Sequence, residues 1–140
     1  MNVMKIFKFI PVIMILCCWS CQTQNEPAST NLKGTKWKLT GIVDAQTGDL
    51  KVLEPIDCER CYTFLFDTDT TAWGYTVGND VYIRGLNPLI IGGSKMLECG
   101  DPELCYAALR SAKSYMFSEN EFKLFFNNNN NYLLYKSINQ

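Results

Sequence analysis

The stretch YTFLFDTDTTAWGYTV, residues 62–77, is typical of a β-hairpin and decides the fold class of this chain. Aromatic side chains recur at every second position on both sides of a polar loop: Tyr62, Phe64 and Phe66 precede it, and Trp73 and Tyr75 follow it. A period of two is the pattern of a strand that turns one face to a core. The loop at 67–71 begins like a calcium-binding loop but lacks the glycine and the closing glutamate of that motif, so a hairpin turn is favoured.

Further short strands are predicted on both sides of this hairpin. Upstream, the domain opens near Gly34, and the alternation of Trp37 and Leu39 with polar residues predicts a strand that runs to about Val43, followed by a turn at 44–49. Downstream, strands are predicted at 81–84, 89–91, 115–117, 121–126 and 132–138. The asparagine run at 127–131 is interpreted as the loop between the last two, because asparagine tolerates left-handed backbone.

One helix is predicted, beginning at Asp101 as an N-cap residue and running to about Lys113. Pro102 at the first helical position and an acidic first turn favour this start. A narrow apolar stripe is formed by Cys105, Ala108, Leu109 and Ala112. The order sheet, helix, sheet predicts a β-rich α+β fold, a curled antiparallel sheet or small barrel with one helix packed against it.

Residues 1–21 have the pattern of a bacterial lipoprotein signal peptide. Lys5 and Lys8 precede an apolar run that is too short to span a membrane and ends at Ser20 and Cys21. A small residue before a cysteine predicts lipidation at Cys21; the alternative is ordinary signal cleavage without a lipid. Polar residues 22–33 are expected to be a flexible tether, and 34–140 a single domain.

The net charge of the mature chain bears on how it attaches to a membrane. Without Lys5 and Lys8, 11 of the 13 basic residues remain against 14 acidic residues, a net charge of −3. Such a chain offers no cationic field for nucleic acid or an anionic bilayer, so nucleic acid is not expected as a partner. Membrane attachment is expected through the N-terminal lipid.

The chain contains no histidine. This excludes Ser-His-Asp triads, Cys-His pairs and zinc hydrolases built on histidine. No nucleophile elbow, phosphate loop or dinucleotide fingerprint is present either. We therefore expect no enzyme, no catalytic residues, no cofactor and no metal.

Four cysteines of the mature domain permit several chemistries. Cys58 and Cys61 form a Cys-x-x-Cys pair, but it precedes a strand rather than a helix and has acidic neighbours, which disfavours a reactive thiolate. Together with Cys99 and Cys105 the pair could bind zinc, although oxidation competes in an exported domain. Two structural disulfides are the favoured interpretation.

Taken together, several segments resemble the META/HslJ-like domain. The similar positions are Trp37-Lys38-Leu39, 64–67, Gly74, Asn79, 94–99, 101–103, Ala108-Leu109, Tyr115, Leu124 and Leu134. Ser94 stands where the family has threonine, and Gly78 where it often has cysteine. The resemblance implies a compact β-rich domain with one helix, common in exported lipoproteins, with a loose association to stress tolerance and no established catalytic residues.

Matching the aromatic positions of the hairpin places Phe66 opposite Trp73 and Cys61 opposite Gly78. Directly opposed residues in a sheet lie close together. Cys61 would then occupy the place of the cysteine that the resemblance implies as a partner of Cys99.

On this basis we predict disulfides Cys61–Cys99 and Cys58–Cys105. The local pairing, Cys58–Cys61 with Cys99–Cys105, is the alternative. A register shift of one residue would mean that Cys61 no longer lies opposite Gly78, on which the first pairing depends.

The sequence as a whole predicts a lipid-anchored protein of the bacterial cell envelope, in the outer membrane, carrying a non-catalytic META-like domain. Its role is expected to be binding or envelope maintenance, with an unknown envelope protein or small ligand as partner. The alternatives are a thiol-disulfide oxidoreductase using Cys58 and Cys61 and an enzyme inhibitor that acts through its loops.

Overall fold

The computed structural model describes residues 31–138. Within this range the chain forms nine strands and one helix. Their bounds are β1 (Lys36–Asp44), β2 (Leu50–Lys51), β3 (Thr63–Phe66), β4 (Ala72–Tyr75), β5 (Asp80–Leu86), β6 (Leu89–Gly93), α1 (Asp101–Ser111), β7 (Ser114–Phe117), β8 (Glu121–Phe126) and β9 (Asn131–Ser137). Every strand predicted from the alternating pattern is present.

The strands form one antiparallel sheet that curls into a nearly closed barrel. Their order is β6-β5-β4-β3-β1-β9-β8-β7, and the short β2 pairs with the end of β1. The two edge strands, β6 and β7, are joined in sequence by α1, which packs against β6, β8 and β9. The predicted fold, a curled sheet or small barrel with one helix packed against it, is confirmed.

The barrel interior is aromatic. Phe117 and Phe122 stack with their ring centroids 4.3 Å apart, and Trp37 meets both rings edge-on or tilted. Phe64 and Tyr135 add a further tilted pair at 5.4 Å. Burial of several large rings contributes strongly to the hydrophobic stabilisation of the domain, and offset or edge-on contacts are the geometry that such rings prefer.

The hairpin register differs from the predicted one by one residue. Phe66 pairs with Ala72 and Phe64 with Gly74, so that Trp73 stands opposite Leu65. The rings of β3 point into the core, whereas Trp73 is 40% exposed on the outer face. The prediction was wrong because it matched aromatic with aromatic, although the two strands turn their aromatic residues to opposite faces.

The start of the helix also differs from the prediction. Gly100, with φ 71°, precedes the helix, so Asp101 is its first residue and not its N-cap. The Asp101 carboxylate instead accepts a hydrogen bond from the Glu54 backbone N–H at 2.9 Å and pairs with Lys51 at 2.9 Å. These contacts tie the helix to the segment after β2. The predicted apolar stripe of α1 is buried, which confirms the helix and its core-facing side.

The described residues begin inside the predicted tether. Leu32 is 3% exposed and packs in the core. The backbone N–H groups of Leu32 and Lys33 donate to Asp69 Oδ1 at 2.9 and 3.0 Å. Leu32 and Lys33 therefore belong to the domain rather than to the 22–33 tether, because a buried leucine and two hydrogen bonds hold them.

The predicted signal peptide, 1–21, and most of the tether lie outside the described residues. Within 31–138 no helix has the length and apolar character needed to cross a membrane.

Candidate functional site

Cys58 and Cys61 form a disulfide with their Cα atoms 5.3 Å apart. The Lys38 ammonium donates to the backbone carbonyls of both cysteines, which anchors the loop to β1. Cys61 is buried, and Tyr62, with φ 56°, turns the chain into β3 immediately afterwards. No helix begins at this pair, so no helix N-terminus is available to stabilise a thiolate there.

The predicted pairings Cys61–Cys99 and Cys58–Cys105 are wrong. Cys61 is bonded to Cys58, while Cys99 is a free, exposed thiol and Cys105 a free, buried one. The predicted pairing assumed that Cys61 lies opposite Gly78, but the observed register of β3 and β4 does not place these residues opposite each other. Of the local alternative, the first pair is correct and the second is not formed.

The remaining cysteines show no sign of a shared site. Burial raises the pKa of the Cys105 thiol, with Glu98 adding to the shift and a hydrogen bond with Tyr135 opposing it. Cys105 is therefore an uncharged core residue at neutral pH. Among residues 31–138 no group of three or more His, Cys, Asp or Glu side chains is arranged to hold a metal ion.

A buried polar network joins the loop between β4 and β5 to the segment before α1. Asn79, 1% exposed, donates from Nδ2 to the Met96 carbonyl at 3.0 Å and to Glu98 Oε2 at 2.7 Å. Its Oδ1 accepts from the Met96 N–H and the Ser94 hydroxyl at 2.7 and 2.9 Å. All four hydrogen-bonding positions of this amide are used, so the side chain acts as a structural clamp.

Glu98 completes this network. Its carboxylate accepts from the Thr76 hydroxyl, the Gly78 N–H and the Asn79 amide at 2.5 to 3.0 Å. Burial disfavours the charged form, but these donors outweigh it and lower the pKa of Glu98 below its usual value. The carboxylate is thus ionised at neutral pH and fully engaged within the protein.

The outer face of β4 and β5 carries a different kind of surface. Trp73 and Tyr82 stand opposite each other on these strands and are 40% and 41% exposed. Tyr75 meets the Trp73 ring edge-on at 5.7 Å, and the guanidinium of Arg60 lies 3.7 Å above the centre of the Tyr75 ring. We call Trp73, Tyr75 and Tyr82 the aromatic surface.

Two grooves flank Trp73. The first has a volume of about 440 Å³ and is lined by Lys36, Glu59, Arg60, Thr63, Phe64, Leu65, Trp73 and Tyr75. The second has a volume of about 390 Å³ and is lined by Asp67, Ala72, Trp73, Tyr82, Ile83 and Arg84. A concave, largely apolar wall with a few polar groups is the usual form of a small-ligand site.

Sequence reasoning did not find this surface. Matching the aromatic positions of the hairpin placed Trp73 on the same face as Phe66, whereas the observed register turns Trp73 outward. Arg60 and Arg84 were missed, because a single charged residue in a loop or on a strand carries no pattern. Their place beside the rings depends on strand order and register.

Fold and surface together define a small β-barrel domain with an exposed aromatic face. No protein-family model matches the chain. The chain is 37% identical, over 137 residues, to a protein of Tannerella forsythia named "Putative lipoprotein", and the match covers 94% of this chain and 95% of that protein. The chain belongs to the family of this protein.

A solved structure shares the fold. It is a DUF4847 family protein from Bacteroides vulgatus ATCC 8482, with a TM-score of 0.55 over 75% of this chain and 93% of the other. The 14% identity between them extends the similarity to the fold alone. Neither comparison shows the META/HslJ-like family, and that resemblance stays a prediction.

Proposed function

We propose that this protein is a lipoprotein of the bacterial cell envelope, anchored in the outer membrane through lipid on Cys21. Support comes from the name of the 37% identical relative and from the signal pattern that ends at Ser20 and Cys21. The low net charge of the mature chain offers no other strong attraction to a bilayer.

Metabolic labelling with radioactive palmitate tests the anchor. The wild-type chain and a Cys17→Ala variant are expected to incorporate label, whereas Cys21→Ala is not, because Cys17 follows leucine rather than a small residue. Equal labelling of wild type and Cys21→Ala would show that the anchor is absent or placed elsewhere. Fractionation of the same strains on a density gradient reports which membrane carries the labelled protein.

The barrel domain then serves as a non-catalytic binding module. The observation that carries this proposal is the aromatic surface, since Trp73 stands 40% exposed between two grooves instead of filling the core. Exposed aromatic residues in a concave surface are enriched at recognition sites. The role in envelope maintenance that the META-like resemblance implies is compatible with such a module.

Cosedimentation with isolated, lipid-extracted envelope material tests the binding module. The lipoprotein, held in detergent, is expected to sediment with this material, and Trp73→Ala to sediment less. Met116→Ala is the matched control, because Met116 is an exposed apolar side chain, 56% accessible, on β7. Equal loss in both variants would argue against the aromatic surface as the binding site.

A thiol-disulfide oxidoreductase is the second candidate, because the Cys58-x-x-Cys61 pair forms a disulfide. Burial of Cys61 and the strand that follows it favour a structural bridge instead. The reduction potential of the pair decides between them. We expect a value below about −300 mV, as for structural disulfides, whereas a value between about −120 and −270 mV would support the oxidoreductase.

A further inference from the structure

Outward-facing positions on five strands line up in one row across the sheet. The registers connect Lys36 with Leu65, Leu65 with Trp73, Trp73 with Tyr82, and Tyr82 with Gly92. Neighbouring strands lie about 4.8 Å apart, so the row extends about 19 Å from β1 to β6. This length suits an extended ligand rather than a single small molecule.

The last position of the row has no side chain of its own. A Cβ atom at Gly92 would lie 3.7 Å from the Arg84 Nε and 3.8 Å from its Cζ, so the guanidinium group covers this glycine. The row therefore runs from a lysine, over an apolar residue and two exposed rings, to an arginine.

Each groove beside Trp73 contains both an acid and a base. Glu59 accompanies Lys36 and Arg60 in the first groove, and Asp67 accompanies Arg84 in the second. Because each groove contains both positive and negative side chains, neither groove presents a uniform electrostatic field that would attract a polyanion or a polycation. The net charge of the mature chain is negative. The grooves do offer hydrogen-bond donors and acceptors side by side, which match neighbouring hydroxyl groups that both donate and accept.

The rings between these charged groups suit the apolar face of a sugar. The face of an indole or phenol ring is negatively polarised and attracts weakly positive C–H groups laid against it. A peptide strand cannot be added at the centre of the row, because β4 is paired on both sides and offers no free edge. Aromatic faces flanked by mixed charges thus match a chain of uncharged sugar rings best.

We propose that the row from Lys36 to Arg84, centred on Trp73, binds a linear, uncharged oligosaccharide. This inference rests on the proposed binding module and names its ligand class. Trp73 and Tyr82 stack on successive rings of the saccharide, while the acid and base in each groove bind its hydroxyl groups.

Calorimetry and tryptophan fluorescence test the proposal on the intact lipoprotein in detergent. The probes are maltohexaose, cellohexaose and N-acetylchitohexaose, with oligogalacturonate as an anionic sugar chain of similar length. At least one uncharged hexasaccharide is expected to bind and to change the tryptophan emission. Trp73→Ala and Tyr82→Ala are each expected to weaken its binding about tenfold or more, as for a central aromatic contact, whereas Met116→Ala binds as the wild type does.

Thermal melts confirm that each variant is folded before its binding is scored. Failure of all three uncharged hexasaccharides to bind at millimolar concentration, or binding of oligogalacturonate alone, overturns the saccharide assignment. Binding that Trp73→Ala leaves unchanged overturns the location. Cosedimentation separates these failures from that of the module itself: if envelope binding is lost in Trp73→Ala while no saccharide binds, the module stands and only its ligand class is wrong.

Discussion

Replacing Glu98 by glutamine tests whether one carboxylate holds the two loops together. Its oxygens accept from three donors, the Thr76 hydroxyl, the Gly78 N–H and the Asn79 amide. Glutamine has nearly the same shape but keeps only one acceptor oxygen and presents an NH₂ group to donors. The variant therefore removes the charge and one of the two acceptor oxygens without opening a cavity.

The expected loss of stability follows from those contacts. A hydrogen bond to a charged group contributes about 1.5 to 3 kcal/mol, and one of the three can be kept by the glutamine oxygen. Because Glu98 is half-buried and water can replace part of the lost contacts, we expect Glu98→Gln to lower the free energy of unfolding by about 2 to 4 kcal/mol at pH 7. For a domain of this size that corresponds to a fall in melting temperature of about 10 to 20 °C.

The pH dependence provides a second, independent readout. The folded protein lowers the pKa of Glu98, so its contribution is fully present above the ordinary value of 4.5 and is lost as the pH falls through the lowered pKa. The other carboxylates are present in both proteins, so their contributions cancel in the difference in free energy of unfolding between wild type and variant. The gap between wild type and variant is therefore expected to be widest near neutral pH and to narrow below pH 4.5.

Urea unfolding followed by tryptophan fluorescence measures this gap at several pH values. Glu119→Gln is the control, because Glu119 is exposed in the turn between β7 and β8 and should change stability by less than about 0.5 kcal/mol. The reasoning is refuted if Glu98→Gln is as stable as the control at pH 7. The reasoning is also contradicted if the stability difference between wild type and variant stays constant from pH 7 to the pH at which the protein unfolds, because the difference would then not depend on the charge of Glu98.

Three further outcomes are expected. In the native protein a maleimide should label Cys99 rapidly and Cys105 only after denaturation, and peptide mapping that finds either thiol oxidised would contradict the free thiols seen here. Gly74→Ala should destabilise the domain by about 3 kcal/mol or more or prevent folding, because the added Cβ would collide with the Thr63 carbonyl; an unchanged melting temperature would show that β3 and β4 can separate. Leu32→Ala should cost about 2 to 4 kcal/mol by chemical denaturation, and a negligible effect would return this residue to the tether.

Local patterns predicted the elements of this fold well. Alternating side chains mark β1, β3, β4, β8 and β9, and the buried stripe of α1 follows from its spacing of three and four residues. The asparagine turn is another local property, since Asn127, Asn128 and Asn129 take positive φ values that this residue tolerates. Such features depend only on neighbours along the chain, which is why sequence suffices for them.

The cysteine pairing and the exposure of the aromatic surface could not be predicted from such local patterns. Both depend on which residues of different strands stand opposite each other, and a shift of one position reverses every side chain. Trp73 and Phe66 both lie in strands with the same alternating aromatic pattern, yet Trp73 is exposed and Phe66 is buried. The strand registers of the folded sheet decide which of the two rings enters the core.

The sequence by itself predicted the export signal and the single domain, and it determined the β-rich fold, because these follow from composition and short-range spacing. The tertiary structure alone decided that Cys61 bonds to Cys58, that Glu98 joins two loops, and that Arg60 and Arg84 lie beside the exposed rings. These contacts join residues from separate elements, and the strand registers that bring them together are set by packing of the whole barrel.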